Sequence, residues 1–459
     1  MANVSGTFST NQTWSENMVM TGDVIFNSGA KLTINAGILV EVNANVTPNI
    51  HIEFTGGAYL VAVGTLGNEI TFESDKGVPL VNDWDGIYIK ADAGLSSFDM
   101  QYVVIKDSDY NGGHGGGLAF GTYFETPDLS SSTFDHLTFD HCLVGLQVNQ
   151  ATATVTNCTF TNCTNAVFHW NGNADSITIE DSTFTSCTYG FDGGVPPNFT
   201  RCTFDTCGRG IYAIDNNVGS PTIQLCKFQD CTTVGLWLAT NLNGSYTVTN
   251  CVIEDCGTGL HIANVPVTLK NTIIANSPTK GVNRISGTLS STYNCLYGNA
   301  ANTGYSAGTG DISDDPLFVD EVANDYNLQT LGNGDPANSP CAGTGTATGA
   351  PVNDFDGVAW PNASPEMGVY GAAVAVDVSV DRSMPFDAGQ DIRVARGMPL
   401  DHFGSVANPV DVPLDWAQVV TTDRGINLYT WPNRYLYASS EMRYRLFPYR
   451  GYVARPRYE

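Results

Sequence analysis

Apolar and polar residues alternate along most of the chain in runs too short for a helix. Stretches such as TATVTNCTF, SITIEDSTF, PTIQLCKFQ and YTVTNCVIE place Val, Ile, Phe and Leu with the period of a β-strand rather than that of an α-helix. Glycine and asparagine punctuate the turns. Convincing amphipathic helices are absent, which argues against leucine-rich and ankyrin-type repeats. The strands also recur as a unit. A motif close to N-C-T-F-x-x-C-x-x-G-L returns with first positions at Cys158, Ser182, Cys202, Cys226, Cys251 and Asn271, spaced 24, 20, 24, 25 and 20 residues apart. A repeat of that length holding three short strands is one coil of a solenoid. Stacked coils give an all-β parallel β-helix, with strands about 4.8 Å apart and about twelve coils between residues 23 and 300.

Like residues then stack on like. Cys158, Ser182, Cys202, Cys226, Cys251 and Asn271 are expected in one ladder, and Cys163, Cys187, Cys207, Cys231, Cys256 and Asn276 in a second. Buried thiols serving as small hydrophobes account for this pattern, with disulfides between coils as the alternative. Zinc is disfavoured, because C-x4-C pairs on strands lack the knuckle turn and the histidines of zinc sites. Sequons such as Asn157-Cys158-Thr159 read as turn asparagines.

Charge narrows the class of partner. The chain has 459 residues with 46 acidic against 20 basic side chains, a net charge of -26. Nucleic acid is thereby disfavoured, since neutralising phosphates needs clustered Lys and Arg. No run approaches the roughly 20 apolar residues of a membrane helix. The start MANVSGTFSTNQTW lacks the charged and apolar regions of a secretory signal, so a product that begins in a cytoplasm is expected.

Several stretches carry a family resemblance. TGDVIFNSGAKLTINAGILVEV, GTLGNEITFES and DWDGIYIK near the start, and DISDDPLFVDEVANDYNLQ, SPCAG, NDFDG and PEMGVYG further on, resemble the first coils and the closing segment of bacterial and phage right-handed β-helix surface proteins. The resemblance covers about residues 20 to 371 and implies a right-handed, surface-exposed β-helix that is often adhesive or carbohydrate-directed. It fixes no activity, because function lives in sites and not in folds. The resulting division is an N-terminal cap at 1–22, the β-helix at 23–300, its closing segment at 301–375 and a small C-terminal anchoring domain at 376–459.

Carbohydrate-active enzymes of this architecture imply particular constellations, and the coils match them poorly. Gly113-His114-Gly115 lies in a glycine-rich insertion, and Arg284-Ile285-Ser286 lacks the Lys of an Arg-x-Lys pair. Arginines within the coils are limited to Arg201, Arg209 and Arg284. A glycosidase needs two carboxylates about 5 to 9.5 Å apart; adjoining coils can bring Asp192 and Asp215 near each other, but isolated aspartates on a solvated strand read as surface. No catalytic residue is assigned.

A different surface lies just after the coil glycine. With Gly145, Ala166, Gly190, Gly210, Gly235, Gly259 and Gly281 aligned, the second residue after each is Gln147, Phe168, Asp192, Tyr212, Trp237, His261 and Asn283. If these point outward, Phe168, Tyr212, Trp237 and His261 offer flat faces to sugar rings or anchors to a partner protein. A phase error of one residue would instead make them core. The acidic cluster Asp311, Asp314, Asp315 and Asp320, and the turn Asp354-Phe355-Asp356-Gly357, read as carboxylates capping turns, with calcium as the alternative. No other cofactor is expected.

Past Tyr370 the composition changes. Residues 376–459 hold ten arginines, ten acids and no lysine, so residues 1–375, with 10 basic and 36 acidic side chains, carry the whole -26. Arg434, Arg443, Arg445, Arg450, Arg455 and Arg457 are interleaved there with Tyr444, Tyr449 and Tyr452. Arg and Tyr are enriched at protein interfaces, and prolines and arginines interrupt every apolar run. The segment therefore reads as a docking arm. Taken together, the expectation is a structural virion protein, such as a decoration protein, head fibre or tail spike. It would be a homo-oligomer, docked on other virion or surface-assembly proteins through its C-terminal domain and presenting a glycan-binding β-helix. The alternatives are a polysaccharide lyase or glycoside hydrolase, or a bacterial surface adhesin or filament subunit.

Overall fold

Each alternating run folds into a strand whose apolar half faces inward. In Thr152–Thr156, for example, Ala153 and Val155 are buried while the threonines between them face out. The computed structural model describes residues 1–371 apart from 45–48, 82, 91–96, 112–113, 122–126, 150, 170–175, 215–218, 240–243, 332–333 and 361–363. Beyond residue 371 it describes the backbone of four strands. Thirty-five described strands, all but Tyr110–Asn111 paired in parallel from coil to coil, form a right-handed parallel β-helix of about 11 turns, close to the twelve expected.

Three sheets run along the axis. Sheet A contains Thr152–Thr156, Ser176–Glu180 and their successors, sheet B contains Thr159–Thr161 and Thr183–Thr185, and sheet C contains Val144–Val148, Asn165–His169 and Tyr189–Gly193. Ala2–Phe8 already pairs in parallel with Met18–Phe26. Ala2–Phe8, within the 1–22 segment expected as a cap, thus joins the first rung.

The corner between sheets explains the cysteine repeat. Asn157, Asp181, Arg201, Leu225, Asn250 and Asn271 all adopt left-handed backbone, with φ between 49° and 54°, a region that Asn and Asp tolerate best. The next residue turns inward, where only a small side chain fits. All twelve cysteines are free and buried, and in eight of them Sγ donates to a carbonyl of the preceding coil, as from Cys202 to the Ile179 carbonyl at 3.4 Å. Burial pushes the Cys158 and Cys226 thiols up from their ordinary range. The ladders differ from expectation at one coil. Thr272 and Ser277, not Asn271 and Asn276, follow Cys251 and Cys256, because Val252 pairs with Ile273 and Glu254 with Ala275. Asn271 and Asn276 occupy the corners instead.

Inside the prism, Phe139, Phe160, Phe184, Phe204 and Phe228 stack with centroids 4.8, 4.7, 4.4 and 4.7 Å apart. The coil glycine is required by close approach. A Cβ on Gly210 would lie 2.5 Å from the Gly235 carbonyl oxygen.

After the last coil, whose strand Asn302–Thr303 still pairs in parallel with Lys280–Arg284, residues of the segment from Phe318 to Val369 pack over the outer face of sheet B. Outward positions there change from Thr159, Thr161, Thr183 and Thr185 to Val252, Ile273 and Ala275, which build a second core with Phe318, Tyr326, Leu328, Cys341, Met367 and Val369. Polar contacts fasten the same contact. Lys227 Nζ donates to the Tyr370 hydroxyl at 3.0 Å and lies 4.4 Å from the Phe355 ring centre, and Asn250 Nδ2 donates to the Glu366 and Gly368 carbonyls.

The chain divides into two compact units, Met1–Ala373 and Val374–Glu459. In the second, Val410–Leu414 pairs antiparallel with Arg434–Ala438 and Val419–Thr421 with Asn427–Tyr429. Among the described residues, no helix is long and apolar enough to cross a membrane.

Candidate functional site

The column of residues two places after the coil glycine is continuous. Gln147 pairs with Phe168, Phe168 with Asp192, Asp192 with Tyr212, Tyr212 with Trp237, Trp237 with His261 and His261 with Asn283. Its phase is outward. Ile211 and Ala213 on either side of Tyr212 are fully buried, as are Leu236 and Leu238 beside Trp237. Phe168, Asp192, Tyr212, Trp237 and Asn283 are half-buried on the outer face of sheet C.

Two members depart from a simple exposed row. Gln147 is fully buried, and His261 is buried with 7% of its surface accessible. The Trp237 ring stacks on His261 at 4.0 Å, and Asn283 Nδ2 meets its Nδ1 at 2.9 Å. Burial and the nearby Lys280 hold the His261 imidazole below its ordinary pKa, so it serves as a neutral support under Trp237 rather than as an open anchor. Asp192 also separates Phe168 from Tyr212, so the aromatic platform is the Tyr212–Trp237 pair, whose rings meet edge to face at 5.2 Å.

The sequence column misses Arg209 and Tyr189, which precede their coil glycines and pair with each other. The Arg209 guanidinium lies 4.4 Å from the Tyr212 ring centre, 5.0 Å from Tyr189 and 6.0 Å from Trp237. Its Nη1 donates to the Tyr189 hydroxyl at 2.6 Å. The signal was legible, since Arg209 is one of only three arginines in the coils. Ile214 and Ile285 add exposed apolar surface. The face can thus offer aromatic stacking, a carboxylate acceptor at Asp192 and cationic donors at Arg209 and Lys280.

Other candidates resolve differently. Arg284 donates to the Gly304 and Gly287 carbonyls and so holds turns. His114 belongs to a hairpin with Asn111. Gly113 and Asp215 lie outside the described residues, so the Asp192–Asp215 pair is not on view. Asp311 accepts from Ser291, Tyr305 and the Gly308 and Asn294 amides. Asp354 accepts from the Asp356, Val358 and Gly371 amides. Asp320 caps a turn at Ala323, and Asp315 accepts from Leu317. These carboxylates are spent on turns, and among the described residues no group of three or more His, Cys, Asp or Glu is placed to hold a metal. Of the arm residues, Arg434 begins a strand and pairs with Leu414. Arg443, Tyr444, Arg445, Tyr449, Arg450, Tyr452, Arg455 and Arg457 lie outside the described residues.

One ionisable group stands apart, on sheet B beneath the closing segment. Burial against Tyr326 pushes Glu254 up to about 7, with Asp255, Glu321 and Asp230 adding to the rise and the hydrogen bond from Asn276 opposing it.

The fold defines the class, a right-handed parallel β-helix, here with an outward aromatic and cationic face. A family model described as right handed beta helix region matches residues 144–301, which include the whole Gln147–Asn283 column, and one described as pectate-lyase like beta helix domain matches residues 6–115. Neither covers residues 302–371. No curated protein matches the chain. Among solved structures, the crystal structure of pectate lyase Pel9A superposes with a TM-score of 0.46 at 15% identity, covering 76% of this chain and 89% of that one.

Proposed function

We propose that the chain is a carbohydrate-binding β-helix protein that holds a polysaccharide on the outer face of sheet C. The observation that carries this reading is the outward Tyr212–Trp237 platform, braced by His261 and flanked by Asp192, Arg209 and Asn283. Aromatic faces stack on the C–H faces of sugar rings, while a few placed polar groups fix orientation through the hydroxyls. Binding rather than cleavage is favoured because Asp192 is the one carboxylate in the Gln147–Asn283 column, where glycoside hydrolysis requires two.

Glycan-array binding of the intact protein and of Tyr212→Ala and Trp237→Ala tests this. Loss of binding in both variants with unchanged melting supports it, and undiminished binding refutes it. New reducing ends or unsaturated sugars after incubation with a bound polysaccharide would move the reading to hydrolase or lyase. A place in a virion or other surface assembly, reached through residues 376–459, is an extension supported by the charge division of the sequence. The protein composition of particles carrying the chain tests it.

A further inference from the structure

Four of the ten basic side chains in residues 1–375 are answered by carboxylates, and Arg284 is held by two carbonyls. Lys76 pairs with Asp83, Lys90 with Glu53, Lys106 with Glu73, and Arg201 with both Asp181 and Glu180. Arg209 is different. Among the described residues it has no carboxylate within ion-pair distance, although the chain carries a net charge of -26. Of its five N–H donors one is engaged, by the Tyr189 hydroxyl, and its buried Nε has no partner. Three aromatic rings fix the guanidinium in place.

We propose that Arg209 makes the sheet C face selective for acidic glycans, its guanidinium taking the paired oxygens of a carboxylate or sulfate on a sugar stacked at Tyr212 and Trp237. The inference rests on the binding reading above and names the ligand class. A planar fork of donors already held against rings loses little freedom on meeting a two-oxygen anion. A guanidinium with no counter-ion among the described residues is open to an anion from outside the chain. Lys280 continues the same side of the sheet three rungs along, about 14 Å away at the usual strand spacing. It is held by Asn283 Oδ1 at 2.9 Å, so a polymer lying along the axis with repeated acidic groups meets a second cation. Asp192, one rung before Tyr212, suits sugar hydroxyls as an acceptor.

Two probe pairs that differ in charge test the idea on the full chain: hyaluronan against its methyl ester, and dextran sulfate against dextran. Isothermal titration should show the charged member of at least one pair bound about tenfold more tightly, the scale of one charge-assisted hydrogen-bonded contact. Arg209→Gln should bring the two members within about twofold, and Arg209→Lys should keep part of the preference. Preference confined to hyaluronan assigns a carboxylate, and preference confined to dextran sulfate assigns a sulfate. Should Arg209→Gln fail to fold, Tyr189→Phe removes the hydroxyl that positions the guanidinium and should lower the same preference. Equal binding of both members by the parent protein, or preference retained in Arg209→Gln, overturns the inference while leaving glycan binding standing. Failure of every probe to bind overturns the inference, and the glycan array decides separately whether the binding reading stands.

Discussion

Phe184 and Trp237 are both large aromatic residues in registered columns, and their surroundings give them opposite consequences. Phe184 is fully buried between Phe160 and Phe204, 4.7 and 4.4 Å away. Phe184→Ala opens a cavity that close-packed rungs above and below cannot collapse into, and should cost about 3–5 kcal/mol, read as a lower urea midpoint with glycan binding retained in the folded fraction. Trp237 faces out, so its loss should affect binding more than stability. Glu254 offers a pH test with a defined sign. Its folded pKa is raised to about 7, so the native state disfavours the carboxylate. Below the ordinary carboxyl range both states are protonated and no penalty exists. As pH climbs from there through about 7 the unfolded chain ionises first and stability falls, reaching its floor once both states are charged. Glu254→Gln should therefore match the parent protein near pH 4 and exceed it above pH 7 by roughly 2–3 kcal/mol, the order given by linkage for such a shift. Equal stability of the two at pH 8 would show that Glu254 is solvated.

At the scale of elements, the contact between the closing segment and sheet B decides how the solenoid ends. The exchange of outward threonines for Val252, Ile273 and Ala275 supplies an apolar surface that residues 318–369 cover. Ile273→Asn buries an amide with no assured partner in that contact, at about 1–3 kcal/mol. The expected result is faster proteolysis within residues 301–371 while the coils before residue 250 resist; uniform resistance along the chain would contradict the arrangement. Much of this was legible in the sequence. Strand period, coil length and glycine spacing place Phe168, Tyr212 and Trp237 in register, because one-residue errors would invert every buried and exposed position. The misses also have physical causes. Asn271 was set in the cysteine ladder because Asn resembles a small polar substitute, yet left-handed corners select Asn more strongly than inward positions do. His261 was taken as exposed because the period reports direction and not cover, and its cover comes from Trp237 and Asn283 on neighbouring rungs. Arg209 escaped because its value lies in what surrounds it, three rings from three coils.

Across the whole molecule, charge and cooperativity are divided along the chain. In a solenoid each coil contacts only its neighbours, so stability approximates a sum over coil interfaces. Every one of those interfaces, the second core and the sheet C face lie within Met1–Ala373. Residues 376–459 contribute ten arginines and ten acids and leave the net charge unchanged. A chain ended after Ala373 should consequently retain the melting temperature of the parent to within a few degrees and bind the same glycans with the same preference. If residues 376–459 are a docking arm, that chain should lose association with a particle or surface, read by co-sedimentation of the full-length and shortened proteins. A marked drop in melting temperature on shortening would instead show that the arm packs on the acidic coils and stabilises them, because removing the 86 residues of a segment that merely docks elsewhere takes no contact from the β-helix. The two outcomes separate an arm that serves assembly from one that serves folding, since only the first leaves glycan affinity and melting untouched while abolishing sedimentation.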